Sequence, residues 1–245
     1  MEYFSYFLVV WGLSVLWSLQ TQTAPYGRYS RGGWGAFVPG KFAWVVQELP
    51  SFVVPILVFF YADCPKAGLP LNQLAIILFL IHYFQRTFVF PLLIRGGKPT
   101  PLFPFVLAFI FCCLNGYLQS GYILKYTDFS TASNARIVAG LATFLMGMLI
   151  NIHSDHVLRN LRKPGETAYK IPHGGMFEFV SGANFFGEIV EWTGFAILNW
   201  SLPTLAFALF TMTNIGPRAV HHHRWYQEKF DDYPKKRKAL IPFIL

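Results

Sequence analysis

Charge is scarce in this chain. Only 13% of its 245 residues are Asp, Glu, Lys or Arg, whereas 54% are hydrophobic and 18% aromatic. That balance excludes an ordinary soluble domain of this length and points to a polytopic membrane protein. Several spans of about 20 residues each leave room for one domain, residues 1–245. Cysteine is nearly as rare. Cys64 and the neighbours Cys112 and Cys113 form no spaced disulfide framework, which leaves them as thiols. No HExxH and no clustered Cys set occur, and adjacent residues of His221–His222–His223 would point about 100° apart on a helix, so no metal site is expected. The glycine-rich fingerprints of Rossmann and P-loop nucleotide sites are missing, as is the GxSxG elbow of the usual serine hydrolases. There are no internal repeats or low-complexity tracts.

What is there is apolar runs. They predict seven transmembrane helices, at about 3–20, 42–61, 70–94, 101–124, 137–153, 176–196 and 201–217. The segment after Met1 has neither a basic start nor a small-residue cleavage site, so it reads as a first span. Basic residues alternate between connections. Arg28, Arg31 and Lys41 precede the second span, Arg95 and Lys98 follow the third, Arg159, Arg162, Lys163 and Lys170 follow the fifth, and the tail adds more. The opposite connections hold only Lys66, Lys125 and Arg136. The positive-inside rule then puts the N-terminus outside and the C-terminus in the cytosol. This topology, together with attraction to anionic headgroups of the bilayer, accounts for most of the +8 net charge, including Lys235, Lys236, Arg237 and Lys238, without invoking nucleic acid. No segment marks a protein partner. Pro and Gly in RGGKPTP (95–101) and RKPGE (162–166) mark turns.

Polar groups inside spans stand out, because a charge at membrane depth costs about 2.5–3.5 kcal/mol on insertion scales. Glu48 lies about seven residues into its span, just before Pro50. His82 and Arg86, four apart in HYFQRTF (82–88), share a helix face, with Tyr83 beside them. NIHSD (151–155) ends the fifth span, and Ser181, Asn184, Glu188 and Glu191 recur at three and four residues, which makes one face of the sixth span polar. Each has an ordinary structural explanation: a bridge at a kink, a snorkelling or paired arginine, a helix-end cluster, an interhelical network. Taken together they point to a polar cavity open to the basic, inner side.

Five stretches carry a resemblance: FAWVVQELPSFVVP (42–55), HYFQRTFVFPLLIRGGKP (82–99), INIHSDHVLRNLRKPGE (150–166), YKIPHGGMFEFVSGANFFGEIVEW (169–192) and RAVHHHRWYQEKFDDYPKKRKALIPFIL (218–245). The chain from about Lys41 to Leu245 resembles the steroid 5α-reductases, the 3-oxo-5α-steroid 4-dehydrogenases, and is closer to their type 1 pattern. The first forty residues carry little of the likeness.

The resemblance implies a seven-helix enzyme that uses NADPH to reduce the 4,5 double bond of a 3-oxo-4-ene steroid such as testosterone or progesterone. It implies a substrate half at about 1–125 and an NADPH-binding half at about 126–245. Glu48 and Tyr83 match the pair that holds the 3-keto group. Burial favours a neutral carboxylic acid, so Glu48 can donate a hydrogen bond to an oxygen that gains negative charge during hydride addition. The positions matching the cofactor site are Asn151, Asp155, Arg162, Tyr169, Asn184, Glu188, Arg218, His222 and Tyr226, with Arg95 and Lys98. The membrane would be endoplasmic reticulum in a eukaryote and plasma membrane in a bacterium. Alternatives of other kinds are a reductase of another lipid enone or enoyl substrate, an isoprenylcysteine-type membrane methyltransferase, and a non-catalytic sterol carrier.

Overall fold

In hydrocarbon no water satisfies backbone N–H and C=O groups, so an apolar run long enough to span must close its own hydrogen bonds as helix. Each of the seven expected runs contains one. The computed structural model describes residues 1–162, 166 and 168–245. The turn expected at 162–166 falls largely outside these, as does Lys163. Helix α1 is Glu2–Thr21, α2 Gly40–Tyr61 and α3 Pro70–Phe84. A π turn at Gln85–Val89 leads into the short α4, Phe90–Leu93. There follow α5 (Leu102–Lys125), α6 (Asn134–Asn160), α7 (Ala183–Asn199) and α8 (Leu202–Lys229). Five of the stretches, α1, α2, the continuous α3–α4, α5 and α6, are long and apolar enough to cross a membrane. The protein is thus a mostly helical integral membrane protein of the all-α class. Large apolar side chains such as Phe60, Leu92, Val138 and Leu149 stand exposed on these helices, as a lipid-facing surface requires.

Two boundaries differ from expectation. Helix α6 continues to Asn160, so Asn151 and Asp155 lie within a helix instead of at its end. The sixth apolar run, expected as helix from 176, becomes α-helical only at Ala183. Its first residues are tied up otherwise: Gly174 and Gly175 take positive φ angles of 93° and 54°, which L side chains adopt only with strain, and a single 3-10 turn follows at Gly175–Glu178. One small ribbon also interrupts the helical pattern. Phe37 pairs with Pro101 and Val38 with Thr100, antiparallel.

The chain divides into two compact units. The first comprises Met1–Tyr6, Ala24–Asn134 and Asn199–Thr204; the second comprises Phe7–Thr23, Ala135–Leu198 and Leu205–Leu245. In the first, α2 and α5 form the main contact. Gly116 makes it close, since a Cβ there would sit 3.2 Å from both Pro50 O and Ser51 Cα. In the second, α6 and α7 run antiparallel with backbone against backbone. Gly140 faces Leu198, Phe144 faces Gly194, Gly147 faces Glu191 and Asn151 faces Gly187. Glycines seven apart on each helix fall on one face, so each removes a side chain at the seam and lets the axes approach.

Candidate functional site

In the first unit, Glu48 and Tyr83 meet the same edge of α5. Pro50, two residues after Glu48, cannot donate to the helix ladder and leaves the carbonyl of Val46 without its usual partner. Gln47 Nε2 donates to Glu48 Oε1 at 3.4 Å, and the Cys112 thiol to Glu48 Oε2 at 3.7 Å. Tyr83 is buried. Asn115 Nδ2 donates to its hydroxyl oxygen at 3.5 Å, and Phe79 packs against its ring with centroids 4.7 Å apart. The Ser51 hydroxyl beside them donates to Cys112 O at 3.1 Å. One carboxyl and one phenol are therefore each met by a neutral donor from α5.

Arg86 follows Tyr83 by three residues on the π turn, a local widening that is frequent at functional sites. It does not reach out to an interface. Its guanidinium is buried on the rings of Trp44 (4.9 Å) and Phe90 (4.2 Å). Trp44 is one turn before Glu48 on α2, so the arginine also braces the segment that carries the carboxyl.

Nine of the expected cofactor positions fall in the second unit. Asn151 and Asp155 are buried on α6, and Asn151 Nδ2 donates to Asn184 O on α7 at 2.9 Å. Glu188, half-buried, is one turn beyond Asn184. Arg162 lies over the Tyr169 ring (5.4 Å), and Tyr169 packs edge-on against Trp225 (4.9 Å). Arg218 lies over the Phe185 ring (4.8 Å), with His222 at 5.7 Å from the same ring. Tyr226 is buried and stacked on Tyr233 at 5.4 Å. The remaining two, Arg95 and Lys98, belong to the first unit, in the exposed 94–99 turn, where Lys98 Nζ donates to Arg28 O at 3.1 Å.

Such a donor set fits a phosphorylated, ring-bearing cofactor. A guanidinium laid on an aromatic face keeps its N–H fork in plane, the geometry that meets phosphate oxygens in pairs, while Asn and aromatic faces suit the rings. The three adjacent histidines turn to three different neighbours: His221 to the backbone of Leu19, His222 to Phe185, and His223 Nδ1 to Ser181 Oγ at 2.6 Å.

Sequence reasoning misassigned or missed several residues. Ser181 is not on the polar face of α7, because it precedes the helix and binds the tail, whose Lys238 O accepts from Ser181 N at 2.8 Å. Glu191 is fully buried at the α6–α7 seam. Arg237, expected as one of four headgroup-facing cations, is buried as well. Its Nη1 donates to Pro172 O at 3.0 Å, its Nη2 is 4.0 Å from Glu178 Oε2, and its guanidinium covers the Tyr233 ring at 5.2 Å. It thereby pins residues 233–240 to the loop leading into α7. Arg237→Met should leave Pro172 O unsatisfied and cost about 1–3 kcal/mol. Limited proteolysis should then cut within 230–240 at protease concentrations that leave the parent intact, while Lys236→Met, exposed, should change nothing. Asn115 and Gln119 in α5 were also missed, although Cys112, Asn115 and Gln119 recur at three and four residues on one face.

Comparison with known proteins identifies a family. The family model described as 3-oxo-5-alpha-steroid 4-dehydrogenase matches residues 98–245. The mouse protein named 3-oxo-5-alpha-steroid 4-dehydrogenase 1 is 56% identical over 229 residues, covering 93% of this chain and 90% of its own. The rat protein of the same name is 54% identical with 93% and 88% covered. The pig protein named 3-oxo-5-alpha-steroid 4-dehydrogenase 2 is 50% identical with 89% and 87% covered. Coverage this wide reaches into the first forty residues, which by inspection of motifs carried little likeness. With the family model over more than half of the chain and relatives at this identity over nearly all of it, the chain belongs to the 3-oxo-5-alpha-steroid 4-dehydrogenase family of oxidoreductase enzymes.

Proposed function

We propose that this protein is an NADPH-dependent steroid 5α-reductase that takes 3-oxo-4-ene steroids, with Glu48 and Tyr83 holding the 3-keto oxygen. The observation that carries the reading is the placement of a carboxyl and a phenol on the same edge of α5, each oriented by a neutral neighbour: Cys112 for Glu48, Asn115 for Tyr83. Type 1 and type 2 mammalian relatives bearing the activity in their names support it.

NADPH, when bound, supplies the hydride. The chain's own groups handle the charge that results. Hydride addition at carbon 5 of the enone moves an electron pair towards the ketone oxygen, where donors aimed in advance stabilise it without reorganisation. Glu48 as the neutral acid and Tyr83 each offer one O–H. The enolate then takes a proton at carbon 4, which completes the reduction. Asn151, Asp155, Arg162, Tyr169, Asn184, Glu188, Arg218, His222 and Tyr226, with Arg95 and Lys98, are the groups assigned to the cofactor: arginines to phosphate, the Asn184–Glu188 turn to the nicotinamide end. We assign seven spans, the two beyond the five apolar ones being α7 and α8, with the N-terminus outside and the C-terminus cytosolic. The basic connections support that orientation, and the mammalian relatives favour the endoplasmic reticulum.

Single-turnover incubation of the detergent-purified protein with testosterone or progesterone and NADPH deuterated at its transferable position tests the reading. Deuterium should appear at carbon 5 on the α face. Cofactor binding without transfer would move the substrate to another lipid enone, and no cofactor binding would overturn the assignment.

A further inference from the structure

Behind the Tyr83 phenol, Asn115 is itself held by a second amide on the same face of α5, Gln119, to which the reaction above gives no part. Gln119 is fully buried and Asn115 almost so. Gln119 Nε2 donates to Pro203 O and to Asn115 Oδ1, both at 3.0 Å. Asn115 Nδ2 donates to the Tyr83 hydroxyl oxygen at 3.5 Å.

The direction of this chain is fixed at its far end. A proline carbonyl can only accept, so Gln119 turns its NH2 group towards it, and the second hydrogen of that group goes to Asn115. Asn115 must then present its oxygen to Gln119 and its own NH2 to Tyr83. Turning either amide over would set like against like and strand two buried polar groups. The Tyr83 oxygen is thereby used as an acceptor, and its proton has to be donated elsewhere. Donation into the phenol oxygen also polarises its O–H bond and strengthens it as a donor.

We propose that Asn115 and Gln119 are positioning residues for Tyr83: the amide relay that starts at Pro203 O fixes the phenol as a hydrogen-bond donor towards the substrate ketone. The inference rests on the role given to Tyr83 above. It differs from an interhelical tie between α5 and the start of α8 in one respect, which is that its effect on turnover passes through the phenol hydroxyl.

A double-mutant cycle on the detergent-purified full chain separates the two, with kcat and KM measured for the steroid and for NADPH. Asn115→Leu, close in volume and without donors, should lower kcat by about 10- to 100-fold, the range of one misdirected transition-state donor, with KM for NADPH within about twofold. In a Tyr83→Phe background the same substitution should change kcat by less than about twofold, because no hydroxyl remains to orient. Equal losses in both backgrounds, with Tyr83→Phe itself impaired, would overturn the relay and leave the role of Tyr83 standing. A fully active Tyr83→Phe protein would overturn both. Gln119→Met, one link further back, gives a second cycle should Asn115→Leu fail to fold: a loss of about three- to tenfold is expected, and it too should vanish without the hydroxyl.

Discussion

Glu48→Gln is expected to lower turnover of a 3-oxo-4-ene steroid by about 100-fold or more while leaving NADPH affinity within about twofold. The substitution keeps the shape of the side chain, so its packing against Gln47 and Cys112 is preserved. What changes is the donor. An amide N–H is a weaker donor than the O–H of a carboxylic acid, and the difference counts more against the developing oxyanion than against the neutral starting ketone. The loss should therefore appear in kcat, where an interaction made mainly in the transition state is read, more than in the steroid KM. Cofactor affinity should hold, because the nine positions from Asn151 to Tyr226 assigned to NADPH belong to the other compact unit. Glu48→Leu, with no donor at all, should lose about 1,000-fold. The measurement is single-turnover kinetics at saturating NADPH beside a calorimetric titration of the cofactor. Unchanged turnover in Glu48→Gln would remove the carboxyl from the reaction.

Glu48 and Arg86 stand out in the sequence because charged groups are costly at membrane depth, so their presence within apolar runs asks for an explanation, whereas Tyr83 stands out only beside His82 and through the family resemblance. Asn115 and Gln119 escaped the same test. Neutral amides carry a smaller insertion penalty, and inside FCCLNGYLQSG the apolar neighbours dominate any window used to find spans. Only the spacing of Cys112, Asn115 and Gln119 marks the face, and it becomes meaningful once α2 and α3 are known to lie against it. The delayed start of α7 was hidden differently. Hydropathy rises from Met176, but the backbone of 179–182 is committed to pairing with Lys238 and Ala239, about sixty residues away in sequence. That pairing also explains why Arg237 could not be told from Lys235, Lys236 and Lys238. In a run of four cations, only the turn of the tail decides which one faces inward. The 37–38/100–101 ribbon is short enough that no period-2 pattern can announce it.

Gly147→Ala is expected to have the largest effect on the fold. At this position α7 passes so close to α6 that a Cβ would fall on the Glu191 amide nitrogen and within 2.6 Å of both Glu191 Cα and Gly187 O. Every one of these is backbone, so no rotamer change can relieve the contact and the helices must separate. Separation at one point is felt along the seam, since Gly140, Gly187 and Gly194 make the same approach in the same antiparallel register. Overpacking typically costs about 1–3 kcal/mol, and a backbone-on-backbone clash belongs at or above the top of that range. In a membrane this is not offset by hydrophobic burial, because lipid solvates separated apolar faces nearly as well; close packing is itself the attraction. The same displacement stretches the hydrogen bond from Asn151 Nδ2 to Asn184 O, now 2.9 Å, and so disturbs two positions assigned to the cofactor. Thermal unfolding in detergent should show a midpoint lower by several degrees, and NADPH affinity should fall at least tenfold at temperatures where the variant is still folded. Gly68→Ala serves as the reference, because a Cβ there meets nothing within 4 Å and should leave both quantities unchanged. Unaltered stability and affinity in Gly147→Ala would mean that α6 and α7 do not meet through their glycines, and the placement of Asn151 against Asn184 would fall with that seam.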